Sequence, residues 1–90
     1  MAKFYFTYGL DEHYPYVGGW TEVVAHDTET AIQLFRIYHP DKIKSILHCA
    51  DFYTEEQFSH TKMYKEGKNF GEGCHEIISV TKIIKRRKES

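Results

Sequence analysis

Fourteen aromatic side chains in a chain of 90 residues constrain its fold more than any other feature of the sequence. Seven Tyr, six Phe and one Trp supply enough ring surface to build a compact hydrophobic core. A chain of this length suffices for one domain with a single modest core. The sequence therefore predicts one domain over residues 1–82, followed by a basic C-terminal tail over residues 83–90.

Charge is nearly balanced over the whole chain but unevenly distributed. Five of the twelve basic residues lie in the last nine positions, whereas residues 1–81 carry seven basic and twelve acidic side chains. A domain that binds nucleic acid by its folded surface usually shows the opposite balance. We therefore expect no nucleic-acid contact except through the tail, whose commoner role is that of a solvated terminus.

The sequence shows no sign of export or of membrane insertion. No apolar run approaches the roughly 18 residues that a spanning helix needs, and the start lacks the pattern of a secretory signal. A cytoplasmic location is expected. The two cysteines, Cys49 and Cys74, are expected to stay reduced in that compartment.

The first part of the chain has the pattern of two strands and a helix. Phe4, Phe6 and Tyr8 recur at every second position, as in a strand with one face on the core. Asp27 precedes a run with helical apolar spacing, and His39 comes before a proline, which ends a helix. The patterns predict strands over residues 3–8 and 20–25, a loop over residues 9–19, and a helix from Asp27 to about Tyr38.

The second part predicts a strand, a short helix and a last strand. Residues 46–53 form a short apolar run typical of a buried strand. Thr54 and Gln57 have the spacing of a capping box, so a helix that carries Phe58 and ends before Gly67 should follow. A glycine-rich loop over residues 65–73 and a strand over residues 76–84 complete the prediction.

The predicted element order is β-β-α-β-α-β. This order indicates the α+β class, with a mainly antiparallel sheet and two helices on one face. The first two strands are consecutive and can pair as a hairpin, although the loop between them is long. The sequence does not determine the remaining strand order.

Two dipeptides offer metal ligands or a reactive thiol. His48-Cys49 and Cys74-His75 could supply zinc ligands, but adjacent residues on a strand point to opposite faces, so the spacing is poor for a tetrahedral site. We expect the chain to fold without metal and without a cofactor. A thiol nucleophile beside an imidazole, with Asp51 as its orienting carboxylate, is the enzymatic alternative, and Cys74 is the more exposed candidate.

The loop and its borders carry the best candidates for partner contact. Tyr14, Tyr16 and Trp20 lie in or beside a stretch that contains proline and glycine, and exposed rings of this kind anchor interfaces. Alternatively Trp20 and Tyr16 cap the core and only Tyr14 is free. The predicted partner-binding residues are Asp11, Tyr14, Tyr16, Trp20, Tyr64 and Phe70.

Much of the chain resembles a family of small phage and prophage proteins from Gram-positive bacteria. The resemblance covers residues 4–78 and is carried by the segments FYFTYG (4–9), GGWTEV (18–23), AIQLFR (31–36), HPD (39–41), CAD (49–51), MY (63–64) and GCHE (73–76). It implies a small accessory protein that blocks a host defence by binding one component. It implies no catalytic residues.

The resemblance, more than the residues themselves, implies a non-enzymatic protein that binds a host partner, such as a CRISPR nuclease, by protein–protein contact. One alternative is a sponge that sequesters a nucleotide signal, with Tyr14, Tyr64 or Phe70 as stacking rings and Lys65 and Lys68 as phosphate contacts; the acidic body argues against it. The other is a small metal or thiol protein built on Cys49, Cys74 and His75. The sequence leaves the oligomeric state open.

Overall fold

A computed structural model describes residues 1–79 of the protein. The elements follow the order β-β-α-β-α-α-β. Part of the predicted last strand and all of the predicted basic tail lie outside the described residues. The elements are β1 (Ala2–Thr7), β2 (Trp20–Ala25), α1 (Thr28–Tyr38), β3 (Asp51–Thr54), α2 (Glu55–Ser59), α3 (Lys62–Glu66) and β4 (Cys74–Ser79).

The four strands form one mixed sheet in the order β3-β1-β2-β4. β1 lies antiparallel to both β2 and β3, whereas β4 pairs with β2 in parallel. β2, β3 and β4 therefore run in one direction and β1 runs against them. The predicted hairpin of the first two strands is present, with Phe4 opposite Val23. The α+β class is confirmed, with three helices and a mixed sheet.

α1 begins and ends where the sequence predicts. The Asp27 carboxylate accepts a hydrogen bond from the Thr30 amide at 2.8 Å, and the amide of His39 closes the helix by donating to the Phe35 carbonyl at 2.7 Å. The buried side of the helix packs on one face of the sheet. This main core consists of Phe4, Phe6, Tyr8, Val23, Ala25, Ala31, Leu34, Phe35 and Ile78.

The helical segment after β3 packs on the opposite face of the sheet, which corrects the prediction of two helices on one face. Phe58 of α2 forms a second core with Tyr5 and Trp20, and its ring stacks on Tyr5 at 4.0 Å between centroids. Tyr5 lies between Phe4 and Phe6 in β1, so its side chain points to the other face. Because each face of the sheet carries its own core, each face is covered by a helix, α1 on one and α2 on the other.

The predicted second helix is two short helices. The capping box is present, since Gln57 N donates to Thr54 Oγ1 at 3.2 Å and Thr54 N donates to Gln57 Oε1 at 3.0 Å. α2 ends at Ser59 with His60 as its C-cap, and Thr61 caps α3 by accepting from the Tyr64 amide at 3.2 Å. A second cap within seven residues of the first explains why the helix is interrupted.

The predicted strand over residues 46–53 begins only at Asp51. Ile46 instead closes a turn, because its amide donates to the Ile43 carbonyl at 3.0 Å while Ser45 takes a left-handed φ of 68°. The apolar run is thus divided between a turn and a strand. The last strand begins at Cys74, earlier than predicted, with a register shift between Trp20 and Thr21 on its neighbour.

Candidate functional site

A cavity of about 380 Å³ opens between two irregular segments. One is the N-terminal loop (residues 9–19), and the other, which we call the basic segment, spans residues 42–49. The volume of the cavity is within the range of about 300–1,000 Å³ that is usual for ligand-binding pockets. The lining residues are Asp11, His13, Tyr14, Lys42, Ile43, Ile46, Leu47, His48 and Cys49.

The N-terminal loop builds its wall around a local turn. Asp11 accepts from the His13 amide at 2.9 Å, and its Oδ1 lies 2.7 Å from His13 Nδ1. These hydrogen bonds lower the pKa of the Asp11 carboxyl, chiefly through the backbone donor. The Tyr14 amide donates to the Asp11 carbonyl at 3.3 Å. The turn therefore fixes where the Tyr14 ring enters the cavity.

Tyr14 connects the cavity to the main core. Its half-buried ring lies 6.5 Å from the ring of Tyr8 and 5.9 Å from that of His48, centroid to centroid. His48 in turn contacts the His13 carbonyl through Nε2, which joins the two walls. One side of the Tyr14 ring is thus held by packing, as rigid interface anchors are.

The basic segment is held at its end and exposed in its middle. Ala50 donates its amide to the Thr7 carbonyl at 2.8 Å, and Leu47 and Cys49 pack against the main core. By contrast, Ile43 is 66% exposed and Ile46 56% exposed. Two large apolar side chains are therefore held at the surface, on a segment whose end is fixed.

A hydrogen-bonded network begins at Tyr8, whose ring packs against that of Tyr14. Thr21 Oγ1 donates to Glu76 Oε2 at 2.8 Å, and Tyr8 Oη lies 2.5 Å from the same Thr21 oxygen. Because the threonine hydroxyl has a single proton, Tyr8 is the donor to Thr21. Burial raises the pKa of the Tyr8 hydroxyl well above its ordinary value. His39 completes the network by contacting Glu76 through Nε2.

The N-terminal loop is fastened to the segment after α3. The Asn69 side-chain amide donates to the carbonyls of Tyr8 at 2.8 Å and Gly19 at 3.0 Å. Gly18 and Gly19 both have left-handed φ values, 70° and 67°. A Cβ at Gly19 would overlap the carbonyl of Gly73. The close approach of these segments therefore needs glycine at that position.

The structure divides the predicted partner-binding residues. Asp11 and Tyr14 line the cavity. Tyr16 instead stacks on His75 at 4.3 Å, half-buried, and Trp20, at 8% exposure, belongs to the second core. Trp20 is therefore corrected from an exposed anchor to a core residue, because its position in β2 turns it towards Phe58.

Tyr64 and Phe70 are exposed, as the prediction requires, but they do not line the cavity. Tyr64 lies on α3 beside Phe58, with 6.2 Å between ring centroids, so it belongs to the opposite face of the sheet. Phe70 takes a left-handed φ of 54° next to Gly18. Neither ring therefore lines the cavity with Tyr14, and Tyr64 lies on the opposite face of the sheet.

The two cysteines are too far apart to act together. Cys49 precedes β3 and Cys74 begins β4, and two strands separate β3 from β4, so about 14 Å of sheet lies between them. A disulfide or a shared zinc ion needs much closer approach. Within residues 1–79, no three His, Cys, Asp or Glu side chains are placed to hold a metal ion.

Neither thiol is activated. Burial raises the pKa of Cys49 to about 12, with a further contribution from Asp51. Burial also raises the pKa of Cys74, whose Sγ donates to the Glu76 carbonyl at 3.3 Å. A reactive thiol needs a lowered pKa, which neither environment provides; Cys49 packs against the main core, whereas Cys74 is exposed.

The basic segment is the part of the site that the sequence prediction missed. The sequence pattern predicts Ile46 in a buried strand and assigns no element to Ile43. The available signal was weak: Ile43 and Ile46 lie beside Lys42 and Lys44 in a short stretch that follows Pro40. The spacing of Ile43, Ile46 and Leu47 matches a helix, so periodicity alone does not place these side chains at the surface.

Comparison with protein-family models, with characterised proteins and with solved structures gives no match to this chain. Among the helices described in residues 1–79, none is long and apolar enough to cross a membrane.

Proposed function

We propose that this chain is a non-enzymatic binding protein that contacts a protein partner through the cavity and the isoleucines beside it. The observation that carries the proposal is the exposure of Ile43 and Ile46 on a segment whose end is tied to β1 and the main core. Large apolar side chains held at a surface are typical of interaction sites.

Tyr14 adds an aromatic anchor to this surface. Interfaces concentrate their binding energy in a few well-packed residues, among which Tyr is enriched. The ring already packs against Tyr8 and His48, so little side-chain freedom remains to be lost on binding. Its position favours a preformed site.

The resemblance to phage and prophage proteins of Gram-positive bacteria supports a biological setting for this binding. In that setting the partner is a host defence effector such as a CRISPR nuclease, and the protein acts as an inhibitor in the cytoplasm of the host cell. This step depends on the resemblance alone and is tested by identifying the partner.

The alternatives have less support in the geometry. A thiol enzyme would need Cys49 or Cys74 as a thiolate, whereas burial raises the pKa of each. A nucleotide sponge would need its stacking rings and lysines to converge, but Tyr64, Lys65, Lys68 and Phe70 do not line the cavity with Tyr14.

A capture experiment with a matched control tests the proposal. The protein, tagged at its amino terminus, is incubated with lysate of a Gram-positive host as wild type, Ile46→Asp and Ile77→Asp. Ile46 and Ile77 are exposed to nearly equal extents, 56% and 57%, but Ile77 pairs with Glu22 on β2, away from the cavity.

We expect one host protein to be retained by the wild type and by Ile77→Asp and to be lost with Ile46→Asp. Circular dichroism should show that all three variants are folded. Equal capture by both substituted proteins would place the contact elsewhere and would refute the proposed function.

A further inference from the structure

The basic segment carries a charge opposite to that of the described chain as a whole. Lys42 lines the cavity, as does Asp11 from the N-terminal loop, and Lys44 lies in the same basic segment. Residues 42–49 contain no Asp or Glu, although residues 1–81 as a whole have five more acidic than basic side chains. A basic patch on an acidic body selects partners by charge.

Two carboxylates beside the site are engaged within the chain. Asp11 lies against His13, with Oδ1 2.7 Å from Nδ1. Asp41, just before the basic segment, accepts from Arg36 Nε at 3.0 and 3.1 Å. The ion pairs within residues 1–79 include neither Lys42 nor Lys44. Both ammonium groups are therefore available to a carboxylate from outside.

The shape of the site favours a polypeptide over a small molecule. Small ligands are usually enclosed over 70–90% of their surface. Here Ile43 and Ile46 line the cavity and are still more than half exposed, so an occupant has to extend over the outer surface of the basic segment to cover them. A protein segment can fill the cavity with one side chain and cover the isoleucines with its neighbours.

Resting on the proposed function, we propose that the occupant is a partner segment in which an apolar side chain is flanked by Asp or Glu. The apolar side chain enters the cavity beside Tyr14. The flanking carboxylates meet Lys42 and Lys44. Apolar contact supplies most of the affinity, and charge selects the segment and speeds its association.

Three synthetic peptides test this chemistry without knowledge of the natural partner. The first, acetyl-Glu-Asp-Leu-Phe-Glu-Asp-amide, has an apolar centre flanked by acidic residues. The second, acetyl-Lys-Arg-Leu-Phe-Lys-Arg-amide, reverses the charge, and the third, acetyl-Glu-Asp-Gly-Ser-Glu-Asp-amide, removes the apolar centre. Binding is followed by shifts of the backbone amides of Lys42, Ile46 and His48 in ¹⁵N-labelled protein.

We expect the first peptide to bind at least about tenfold more tightly than either of the others. The second peptide loses the ion pairs with Lys42 and Lys44 and is repelled by them, and the third loses the apolar contact. The double change Lys42→Glu and Lys44→Glu should remove this preference. Its matched control, Lys62→Glu with Lys65→Glu on α3, should keep it. Equal binding of the acidic and basic peptides, or no binding of any, would overturn the inference.

The same lysine variants separate this inference from the proposed function in the capture experiment. If Ile46→Asp loses the partner while the double change at Lys42 and Lys44 keeps it, the binding function stands and the acidic occupant is wrong. If neither Ile46→Asp nor the double lysine change reduces capture of the partner, the proposed function and the acidic occupant are both wrong. If the purified wild type is a dimer that Ile46→Asp dissociates, the occupant is a second copy, which also overturns the inference.

Discussion

At the scale of single residues, Phe35 is the side chain on which the main core depends most. It is fully buried, and its ring stacks on Phe6 at 4.2 Å between centroids. Phe35→Ala should lower the free energy of unfolding by about 3–5 kcal/mol, as loss of a core ring does. Urea denaturation measures the change, and a loss below about 1 kcal/mol would mean that the site collapses around the truncated side chain.

The two thiols should differ in reactivity because they differ in exposure. Cys74 is exposed, whereas Cys49 is half-buried with a pKa raised to about 12. Iodoacetamide at mildly alkaline pH should therefore alkylate Cys74 first in the folded protein, and both thiols at similar rates in urea. Peptide mass mapping measures the rates. Faster labelling of Cys49 than of Cys74 would contradict this expectation and would show that the Cys49 segment opens readily. Cys74→Ser serves as the control, because it leaves Cys49 as the one thiol whose labelling rate is measured.

At the scale of elements, the contact between the N-terminal loop and the segment after α3 depends on Gly19. Gly19 and Gly67 have similar left-handed φ values, 67° and 70°, but only at Gly19 would a Cβ meet backbone. Gly67→Ala should lower the free energy of unfolding by about 1 kcal/mol, from backbone strain alone. Gly19→Ala should lower it by at least about twice as much, because the added Cβ also meets the Gly73 carbonyl. Equal losses in urea melts would mean that the loop shifts freely.

The cap of α1 should make the helix sensitive to acid. The Thr30 amide donates to Asp27 and lowers the pKa of its carboxyl below the ordinary 3.8. A carboxyl with a lowered pKa in the folded state stabilises the fold above its unfolded pKa, and this contribution is lost as the pH falls through the folded value.

The difference in melting temperature between the wild type and Asp27→Asn should therefore change below about pH 4. Asparagine caps a helix without titrating, so the wild type should lose stability relative to the variant as the pH falls. A difference that stays constant from pH 6 to pH 2.5 would contradict the role assigned to the Asp27 carboxylate.

Local signals in the sequence predicted much of the secondary structure. The alternation in β1, the Asp27 cap and the Thr54–Gln57 box act over a few residues, so they can be read directly from the chain. The parallel pairing of β4 with β2 and the position of Phe58 on the opposite face depend on contacts between distant residues. No local pattern specifies them.

The site was predictable to a smaller extent for the same reason. Asp11 and Tyr14 lie in a loop that its glycines and proline mark as irregular, and the structure places both at the cavity. Ile43 and Ile46 become site residues only because Leu47, Cys49 and Ala50 fasten the end of their segment to the core and to β1. Trp20 and Tyr16, which look equally suitable in sequence, are used for packing.

At the scale of the whole molecule, the proposed function needs a preformed surface on the α+β domain. The sheet and α1 supply the rigid base, and Tyr8 joins the Tyr14 ring to the Thr21–Glu76–His39 network. The two irregular segments present the apolar and basic groups. Function is therefore expected to change with surface residues 11–14 and 42–46, and stability with the two cores.

The most direct test of partner contact through the cavity is a calorimetric titration of the captured partner with Tyr14→Ala and, as control, Tyr64→Ala. Tyr64 is 59% exposed on α3 and does not line the cavity. The account predicts that Tyr14→Ala weakens binding by about tenfold or more, as loss of an anchor does, and that Tyr64→Ala binds as the wild type does. Unchanged affinity with Tyr14→Ala, together with a loss for Tyr64→Ala, would contradict the account and move the partner surface to α3.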